Sequence, residues 1–348
     1  MGLSSSEVID FSVNSNPLGP SPKVAEALAR VDLSRYPDPE ATELREALLN
    51  HLGVNSNEIL AGNGSVELMW LTALAYLGPG DRVMILGPTF GEYERVARIM
   101  GAEVRFCTAQ AHEGFCQRPD AVAGLIEQAQ PKAVFLCNPN NPTGFYLEHG
   151  AIENLVSRFP GTLFVVDEAY LAFVHARGRH SKGGRSCVDL IGRGNLLVLR
   201  SMTKDYALAG LRLGYAVASE EIIEALKRVQ PPWSVNAMAQ AAGLAALADQ
   251  EHLERSLECV WEAKDYLVRE LTNLGLAPYP ASANFFLVDV DDASFIRSRL
   301  LERGCCVRDC ASFGLPQFIR IGVRTVPECE RLVAAVAAVV KEMVGGED

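Results

Sequence analysis

Short apolar runs alternate with longer helical patterns through the first two thirds of the chain, and this alternation constrains the fold more than any other feature. The runs lack the polar–apolar alternation of half-exposed strands, so we expect strands that are covered on both faces. Strands separated by helices are joined by crossover connections, which produce a mainly parallel sheet. The predicted strands lie at residues 82–86, 103–107, 133–137, 163–166 and 195–199.

Helical patterns fill the intervals between these runs and continue after them, at residues 23–31, 41–52, 65–76, 92–100, 235–247 and 253–274. The last part of the chain repeats the alternation on a smaller scale, with strands at 284–290 and 318–323 and helices at 293–303 and 327–344. The pattern predicts an α/β protein with a second, smaller α+β domain. We expect an N-terminal arm that belongs partly to the small domain at residues 1–35, a large domain at 36–250 and the small domain at 251–348.

Charge and cysteine usage exclude several classes of partner. The 348 residues include 32 Lys and Arg against 43 Asp and Glu, a net charge of −11, so we expect no nucleic-acid partner. No apolar run approaches the roughly 20 residues of a membrane helix, and no secretory signal is visible, so we expect a cytoplasmic protein without a membrane partner. The tightest cysteine group, Cys305, Cys306 and Cys310, lacks partner ligands at matched spacing, so we expect no metal. The basic, glycine-rich segment 174–185 is predicted to be a solvated loop.

A lysine flanked by hydroxyl side chains follows the strand at 195–199, in the sequence RSMTK that ends at Lys204. A surface lysine is the common alternative for any single lysine. A lysine held in a pocket can instead form a Schiff base, because desolvation and neighbouring positive charge lower its pKa and free the amine.

Three other features lie at strand ends or at a helix start. Asp167 and Glu168 follow the strand at 163–166, on the side of an α/β sheet where ligands bind, although an isolated acid there is commonly a helix cap. Residues 138–144 (NPNNPTG) form a predicted turn whose side-chain amides are suited to hydrogen-bond a ligand. Residues 62–65 (GNGS) precede a helix whose first N–H groups are suited to a phosphate, although a lone Gly-x-Gly is commonly only a tight turn.

In combination and in this chain order, the motifs resemble those of the fold-type-I enzymes that use pyridoxal 5′-phosphate (PLP), specifically the class I/II aminotransferases. The matching segments are NPNNPTG at 138–144, DEAY at 167–170 and SMTKDYALAGLR at 201–212. The resemblance covers nearly the whole chain. It implies a PLP-dependent enzyme whose large domain has a mainly parallel seven-stranded sheet flanked by helices, with a small α+β domain beside it.

The resemblance also implies a role for individual residues. Lys204 would bind the cofactor covalently and later move protons, and Asp167 would keep the pyridine nitrogen protonated. Asn141 and Tyr170 would hydrogen-bond the ring's O3′, and Phe90 would stack on the ring face. The residues that would hold the PLP phosphate are Asn63, Gly64, Ser65, Ser201, Thr203 and Arg212.

Substrate recognition is expected from arginines of the small domain. Arg320, in the segment FIRIG, matches the family residue that clamps a substrate carboxylate, and Arg308 matches one that contacts the other anionic end. Asn16 and Asn141 complete the predicted substrate-binding set. Two arginines at one pocket of an acidic chain favour a phosphorylated amino compound. Tyr36 resembles a tyrosine that reaches the PLP phosphate of the opposite subunit, which implies a homodimer with shared active sites.

Two neighbouring groups share these motifs, the threonine-phosphate decarboxylases and the histidinol-phosphate aminotransferases. The segment LAGLR at 208–212 is typical of the aminotransferases, whereas four peripheral segments favour the decarboxylase: DFSVNSNPLG at 10–19, ILAGNG at 59–64, PWSVN at 232–236 and VRDCA at 307–311. We therefore predict an L-threonine O-3-phosphate decarboxylase that supplies aminopropanol phosphate for the cobalamin side chain. The alternative is a histidinol-phosphate-type aminotransferase that uses 2-oxoglutarate and glutamate, and a non-catalytic PLP-fold binding protein is a third.

Overall fold

A computed structural model describes residues 7–174 and 184–345, so the predicted loop at 174–185 lies almost entirely outside the described residues. The strands are β1 (Ile9–Asp10), β2 (Ile59–Gly62), β3 (Arg82–Gly87), β4 (Glu103–Thr108), β5 (Ala133–Cys137), β6 (Leu163–Asp167), β7 (Leu196–Ser201), β8 (Gly214–Ala218), β9 (Phe285–Asp289), β10 (Cys305–Cys306), β11 (Arg308–Asp309) and β12 (Phe318–Gly322). The helices are α1 (Pro22–Leu28), α2 (Thr42–Leu52), α3 (Gly64–Tyr76), α4 (Glu92–Ile99), α5 (Pro119–Ala129), α6 (His149–Arg158), α7 (Glu220–Lys227), α8 (Ala237–Leu247), α9 (Gln250–Asn273), α10 (Ala293–Leu301) and α11 (Val326–Gly345).

Seven strands form the central sheet, in the order β2–β8–β7–β6–β5–β3–β4. All of them run parallel except β8, which is antiparallel to both of its neighbours, β2 and β7. The predicted fold class, a mainly parallel seven-stranded sheet flanked by helices, is therefore confirmed.

Helices cover both faces of this sheet and explain the uninterrupted apolar runs. Alternate residues of β5 enter opposite cores, Val134 and Leu136 on one face and Phe135 and Cys137 on the other. The first core is completed by α2, α5, α6 and α8, and the second by α3, α4 and α7. Inner strands such as β5 are buried on both sides and need no polar face, whereas the edge strand β4 is mostly exposed.

A third core lies under the three-stranded antiparallel sheet β11–β12–β9, which α9, α10 and α11 cover. The N-terminal arm joins this unit, because β1 pairs in parallel with β10 and Phe11 is fully buried in the same core. We keep the domain boundaries at 35/36 and 250/251 as a proposal. No helix in the described ranges is long and apolar enough to cross a membrane.

The N-terminal arm bridges the two units at the point where the site lies. The Phe11 carbonyl accepts from the Gly322 N–H at 2.8 Å, which ties the arm to β12. A few residues later, the Asn16 N–H donates to the Lys204 carbonyl at 2.9 Å. The arm therefore crosses from the small sheet to the turn after β7.

Candidate active site

A cavity of about 480 Å³ lies beyond the carboxyl ends of β5, β6 and β7, between the central sheet and strands β11 and β12. Parallel strands bring residues distant in sequence to this edge, which is the usual ligand site of an α/β sheet. Most of the residues singled out in the sequence line the cavity: Ser65, Phe90, Asn141, Asp167, Tyr170, Ser201, Thr203, Lys204, Arg212, Arg308 and Arg320.

Two asparagines predicted to contact ligands are engaged elsewhere. Asn16 does not line the cavity; its Nδ2 donates to the Asp205 carbonyl at 2.9 Å and its Oδ1 accepts from the Leu18 N–H at 2.9 Å. The placement of Asn16 therefore does not support the prediction that it binds substrate, because its side-chain amide is hydrogen-bonded to backbone groups of Asp205 and Leu18. Similarly, the Asn63 N–H donates to Glu67 Oε2 at 2.7 Å, so it is occupied within the start of α3.

Tyr36 lies outside the cavity of its own chain. Its side chain is 81% exposed, and its ring contacts that of Trp233 at a tilt, with centroids 4.8 Å apart. A tyrosine so exposed contributes nothing to the site of its own chain. Its predicted role in the site of an opposite subunit stays a prediction.

Asp167 provides a buried carboxylate on the cavity wall, at the end of β6 and only 4% exposed. The Tyr93 hydroxyl donates to Oδ2 at 2.7 Å, and the Ala169 N–H donates to Oδ1 at 3.0 Å. Burial raises the pKa of Asp167, and these two hydrogen bonds oppose the rise. Among the described residues, Asp167 has no ion-pair partner, so a cationic atom of a ligand would compensate its charge.

Lys204 faces the same space, with its Nζ 6.0 Å from the centroid of the Tyr170 ring. Burial lowers the pKa of Lys204, and the positive charges of Arg320 and Arg212 lower it further. The carboxylate of Asp167 opposes the shift. A lowered pKa makes the neutral amine easier to form, and the neutral amine is the form that attacks an aldehyde and accepts a proton.

Gly64 and Arg212 meet at the N-terminal end of α3. Gly64 has a positive φ of +77°, and a Cβ at this position would lie 2.8 Å from Arg212 Nη2. Glycine therefore lets the guanidinium approach the first turn of the helix. The hydroxyls of Ser201 and Thr203, hydrogen-bonded to each other at 2.7 Å, line the cavity beside them. A helix N-terminus, a guanidinium and two hydroxyls together suit a phosphate group.

Two arginines of the small sheet form the opposite wall. Arg320 is 7% exposed, and its Nη1 donates to Asn141 Oδ1 and its Nη2 to the Ser12 carbonyl, the latter at 2.8 Å. Its Nε has no partner among the described residues. Arg308 is exposed and donates to Ser312 Oγ at 2.8 Å. Within the described ranges neither arginine pairs with a carboxylate, so this wall suits an anionic ligand.

Tyr93 and Asn14 are among the lining residues that the sequence did not predict. Tyr93 follows Phe90 by three residues at the start of α4, a spacing that indicates a shared side and was an available signal. Asn14 is buried and lies in the cavity two residues before Asn16, where we had expected the ligand contact. No sequence signal distinguishes these two asparagines, since both belong to the same extended arm.

The residues present fit PLP. A buried carboxylate suits a protonated ring nitrogen, a lysine with a lowered pKa suits an aldehyde, and the end of α3 suits a phosphate. Phe90 lines the cavity as an aromatic face for a flat ring. Across residues 7–174 and 184–345, no group of three or more His, Cys, Asp or Glu side chains is arranged to hold a metal ion.

Comparison with known proteins agrees with this geometry. The family described as aminotransferase class I and II matches residues 6–336. The chain is 38% identical over 334 residues to a histidinol-phosphate aminotransferase of Moorella thermoacetica, a match that spans 94% of this chain and 84% of the relative.

Two solved structures share the fold across nearly the whole chain. A histidinol-phosphate aminotransferase from Sinorhizobium meliloti in complex with PLP has a TM-score of 0.87 at 25% identity, covering 97% of this chain and 91% of the other. The L-threonine-O-3-phosphate decarboxylase from Porphyromonas gingivalis has a TM-score of 0.83 at 26% identity, covering 96% and 100%. The chain belongs to the class I and II aminotransferase family and is an enzyme whose cofactor is PLP.

Proposed function

We propose that the protein is an aminotransferase that takes the amino group from a phosphorylated amino compound of the histidinol phosphate type and passes it to 2-oxoglutarate. The observation that carries the proposal is the cavity itself. It places the buried Asp167 and the half-buried Lys204 on the sheet side, and on the other side two arginines that have no carboxylate partner among the described residues. The two arginines suit a substrate with two anionic charges or two substrates that carry them in turn.

Asp167, Lys204 and Arg320 have separate roles in the proposed transamination. Bound PLP supplies a ring that withdraws electrons from the substrate's reacting carbon. Asp167 holds a proton on the ring nitrogen, and burial keeps competing water away from that contact. Lys204 accepts the proton from the substrate Cα and donates a proton later in the reaction. Its lowered pKa suits it to this role. Arg320 orients the substrate through its anionic group.

The relatives favour transamination over the decarboxylation that the sequence analysis put first. The Moorella thermoacetica relative at 38% identity is named an aminotransferase, whereas the decarboxylase structure shares 26% identity. The placement of the two competing motifs agrees. Ala209 and Arg212, from the segment typical of aminotransferases, line the cavity. Trp233, from a segment that favoured the decarboxylase, instead contacts Tyr36 outside it.

Decarboxylation remains the second candidate, because Ser12, Val13, Asn14 and Ser15 of the decarboxylase-like N-terminal segment do line the cavity. The two reactions differ in which bond at the substrate Cα lies perpendicular to the ring, and substrate anchoring sets that angle. The residues that hold the cofactor do not distinguish them.

One pair of assays tests the proposal. The purified holoenzyme is incubated with histidinol phosphate and 2-oxoglutarate, and separately with L-threonine O-3-phosphate. Glutamate formed in the first reaction supports the aminotransferase. Release of CO₂ and aminopropanol phosphate in the second, without glutamate in the first, would replace the proposal with the decarboxylase.

We also propose that the enzyme is a homodimer in which Tyr36 completes the opposite subunit's site. Its support is the exposure of Tyr36 and of Leu33, which is 75% exposed. Mixing two inactive variants, Tyr36→Ala and Lys204→Ala, through unfolding and refolding tests the idea. Mixed dimers would contain one site with both native residues and recover activity. A monomeric mass in light scattering, or no recovery in proven mixed dimers, would contradict it.

A cytoplasmic location is part of the same proposal. All nine cysteines are free thiols, which suits a reducing compartment. Cell fractionation with an antibody to the protein measures the location directly, and recovery in an oxidising compartment would contradict the assignment.

A further inference from the structure

A second row of charged side chains lies directly behind the cavity residues. Asp167 and Lys204 line the cavity, and each is followed in sequence by an acid, Glu168 and Asp205, that does not. Ser201, which also lines the cavity, is preceded by Arg200. Glu168 and Arg200 do not line the cavity and pair with each other at 3.2 Å, and Asp205 is buried in the turn after β7.

Glu168 is the best anchored member of this row. Its side chain is fully buried and pairs with Arg200 Nη1 at 3.2 Å. Oε2 also accepts from the Ser186 hydroxyl at 2.6 Å, and Oε1 accepts from the Cys187 N–H at 2.7 Å. A carboxylate held by three donors fixes the chain on either side of it. That chain includes the Glu168 N–H, which donates to the Leu199 carbonyl of β7 at 2.8 Å.

The positive charge of Arg200 acts both on Glu168 and on Asp205 in the turn that contains Lys204. Burial opposes its charge, yet Tyr215, Glu168 and Asp205 together hold the pKa of Arg200 above its ordinary value. Arg200 thus attracts one carboxylate next to Asp167 and another next to Lys204.

Asp205 is the member of this row whose charged form is disfavoured by burial. Burial raises the pKa of Asp205 to about 6, against the attraction of Arg200 and the N–H of Tyr206. Tyr215 and Glu168 are the other charged or titratable groups of the neighbouring strands in this cluster. On the opposite side the N-terminal arm holds the same turn, since Asn16 donates to the carbonyls of both Lys204 and Asp205 at 2.9 Å.

We propose that Glu168, Arg200 and Asp205 form a positioning layer that sets the relative placement of Asp167 and Lys204. The two cavity residues must face one ring from different sides, and they come from different strands. The Glu168–Arg200 ion pair ties the residue after Asp167 to β7, and the charge of Arg200 also attracts Asp205, the residue after Lys204. It acts on the reaction through Asp167 and Lys204 and touches neither substrate nor cofactor.

The test compares Arg200→Met, which removes the charge at similar length, with Arg200→Lys, which restores it. The matched control is Arg193→Met, because Arg193 pairs with Glu153 at 2.9 Å far from the cavity. All are prepared as holoenzyme. The first measurement is the circular dichroism of bound PLP in the visible region, which reports how the ring is held and needs no substrate. The second is kcat and KM with the substrate identified by the assays above.

For Arg200→Met we expect an altered visible band at full PLP content, a kcat lower by about 10²-fold as for a misplaced reacting group, and a nearly unchanged KM. Arg200→Lys should recover part of both signals, and Arg193→Met should match the native enzyme. A native visible band in folded Arg200→Met would overturn the proposal, even if activity fell. The band needs no substrate, so a wrong substrate assignment does not affect this outcome.

A second variant covers the case in which Arg200→Met fails to fold. Asp205→Asn keeps the shape of the side chain and removes a carboxylate whose burial is unfavourable. We expect it to fold, to show a changed visible band and to lose kcat. Full kcat with a native band in Asp205→Asn would contradict a positioning role for this layer.

Discussion

Arg308 and Arg320 are directly paired across the antiparallel strands β11 and β12, so both side chains leave the small sheet on one face and reach the catalytic cavity. Like charges directly opposite each other destabilise a strand pair. Burial lowers the pKa of Arg320, and repulsion from Arg308 adds to that shift. The pairing is therefore unfavourable alone and becomes favourable when an anion lies between the two guanidinium groups.

The two arginines are expected to contribute unequally to substrate binding. Arg320→Ala should raise KM for the phosphorylated substrate by about tenfold to a hundredfold, because a buried charged hydrogen bond contributes about 1.5–3 kcal/mol. Arg308→Ala should have a smaller effect, since Arg308 is exposed. Steady-state kinetics on both variants measure this, with Arg297→Ala on the neighbouring helix as the control. An unchanged KM in Arg320→Ala would contradict the assignment.

Lys204→Ala should still bind PLP through the phosphate and ring contacts but should lose turnover by at least about 10²–10⁴-fold, the usual contribution of a positioned proton-transfer group. Borohydride treatment followed by mass spectrometry should fix the cofactor on native Lys204 and on no residue of the variant. Lys132→Ala, which removes a surface ion pair with Asp81, is the control. Retained activity in Lys204→Ala would refute the assigned role.

Gly64→Ala should weaken PLP binding, because the new methyl group would crowd Arg212 Nη2 at 2.8 Å. It should also destabilise the fold by about 1–2 kcal/mol, as a left-handed residue with a side chain does. Gly53→Ala is a matched control, since Gly53 has a similar φ of +70° but nothing within 4 Å of the added atom. Fluorescence titration of the apoenzyme with PLP should show weaker binding in Gly64→Ala only. Equal affinities would show that the Arg212 contact does not matter.

The sheet was predictable because burial on both faces leaves a distinctive apolar run. Strand β5 is fully buried and follows its predicted bounds. Strand β4 has the predicted position but is mostly exposed, because it lies at the edge of the sheet, where Phe106 faces solvent. Strand β8 was not predicted, although it is fully buried. The edge position of β4 and the antiparallel position of β8 between β2 and β7 depend on the tertiary structure, so a short stretch of apolar sequence does not reveal them.

The cavity was predictable wherever a residue lies at a strand end inside a specific motif, as Asp167, Asn141 and Lys204 do. It was not predictable along the N-terminal arm. The choice between Asn14 and Asn16 depends on which asparagine the small sheet turns toward the cavity, and the hydrogen bonds from Asn16 to the turn after β7 decide it. The preference for decarboxylation over transamination is not supported by the relatives, since the one at 38% identity is named an aminotransferase.

The stability of the native protein relative to Asp205→Asn should depend on pH in a direction set by the buried carboxylate. Since the pKa of Asp205 is raised from 3.8 to about 6 in the folded protein, the folded state binds the proton more tightly than the unfolded state. The resulting stabilisation is full below pH 3.8 and is lost as the pH rises through about 6. Native protein therefore loses on the order of 3 kcal/mol across this window, at about 1.4 kcal/mol per pKa unit, and Asp205→Asn does not.

Urea unfolding of the holoenzyme at the two ends of that window measures the difference between variant and native free energies of unfolding. We expect this difference to shift in favour of Asp205→Asn as the pH rises. Asp81→Asn should show at most a small shift in the opposite direction, because the hydrogen bond from Lys132 lowers the pKa of Asp81 and places most of its effect below this window. A variant that is more stable than the native enzyme at neutral pH and yet slower would show that Asp205 is kept at a cost to folding because the reaction needs it. A difference that stays constant with pH would mean that Asp205 is not buried in its charged form.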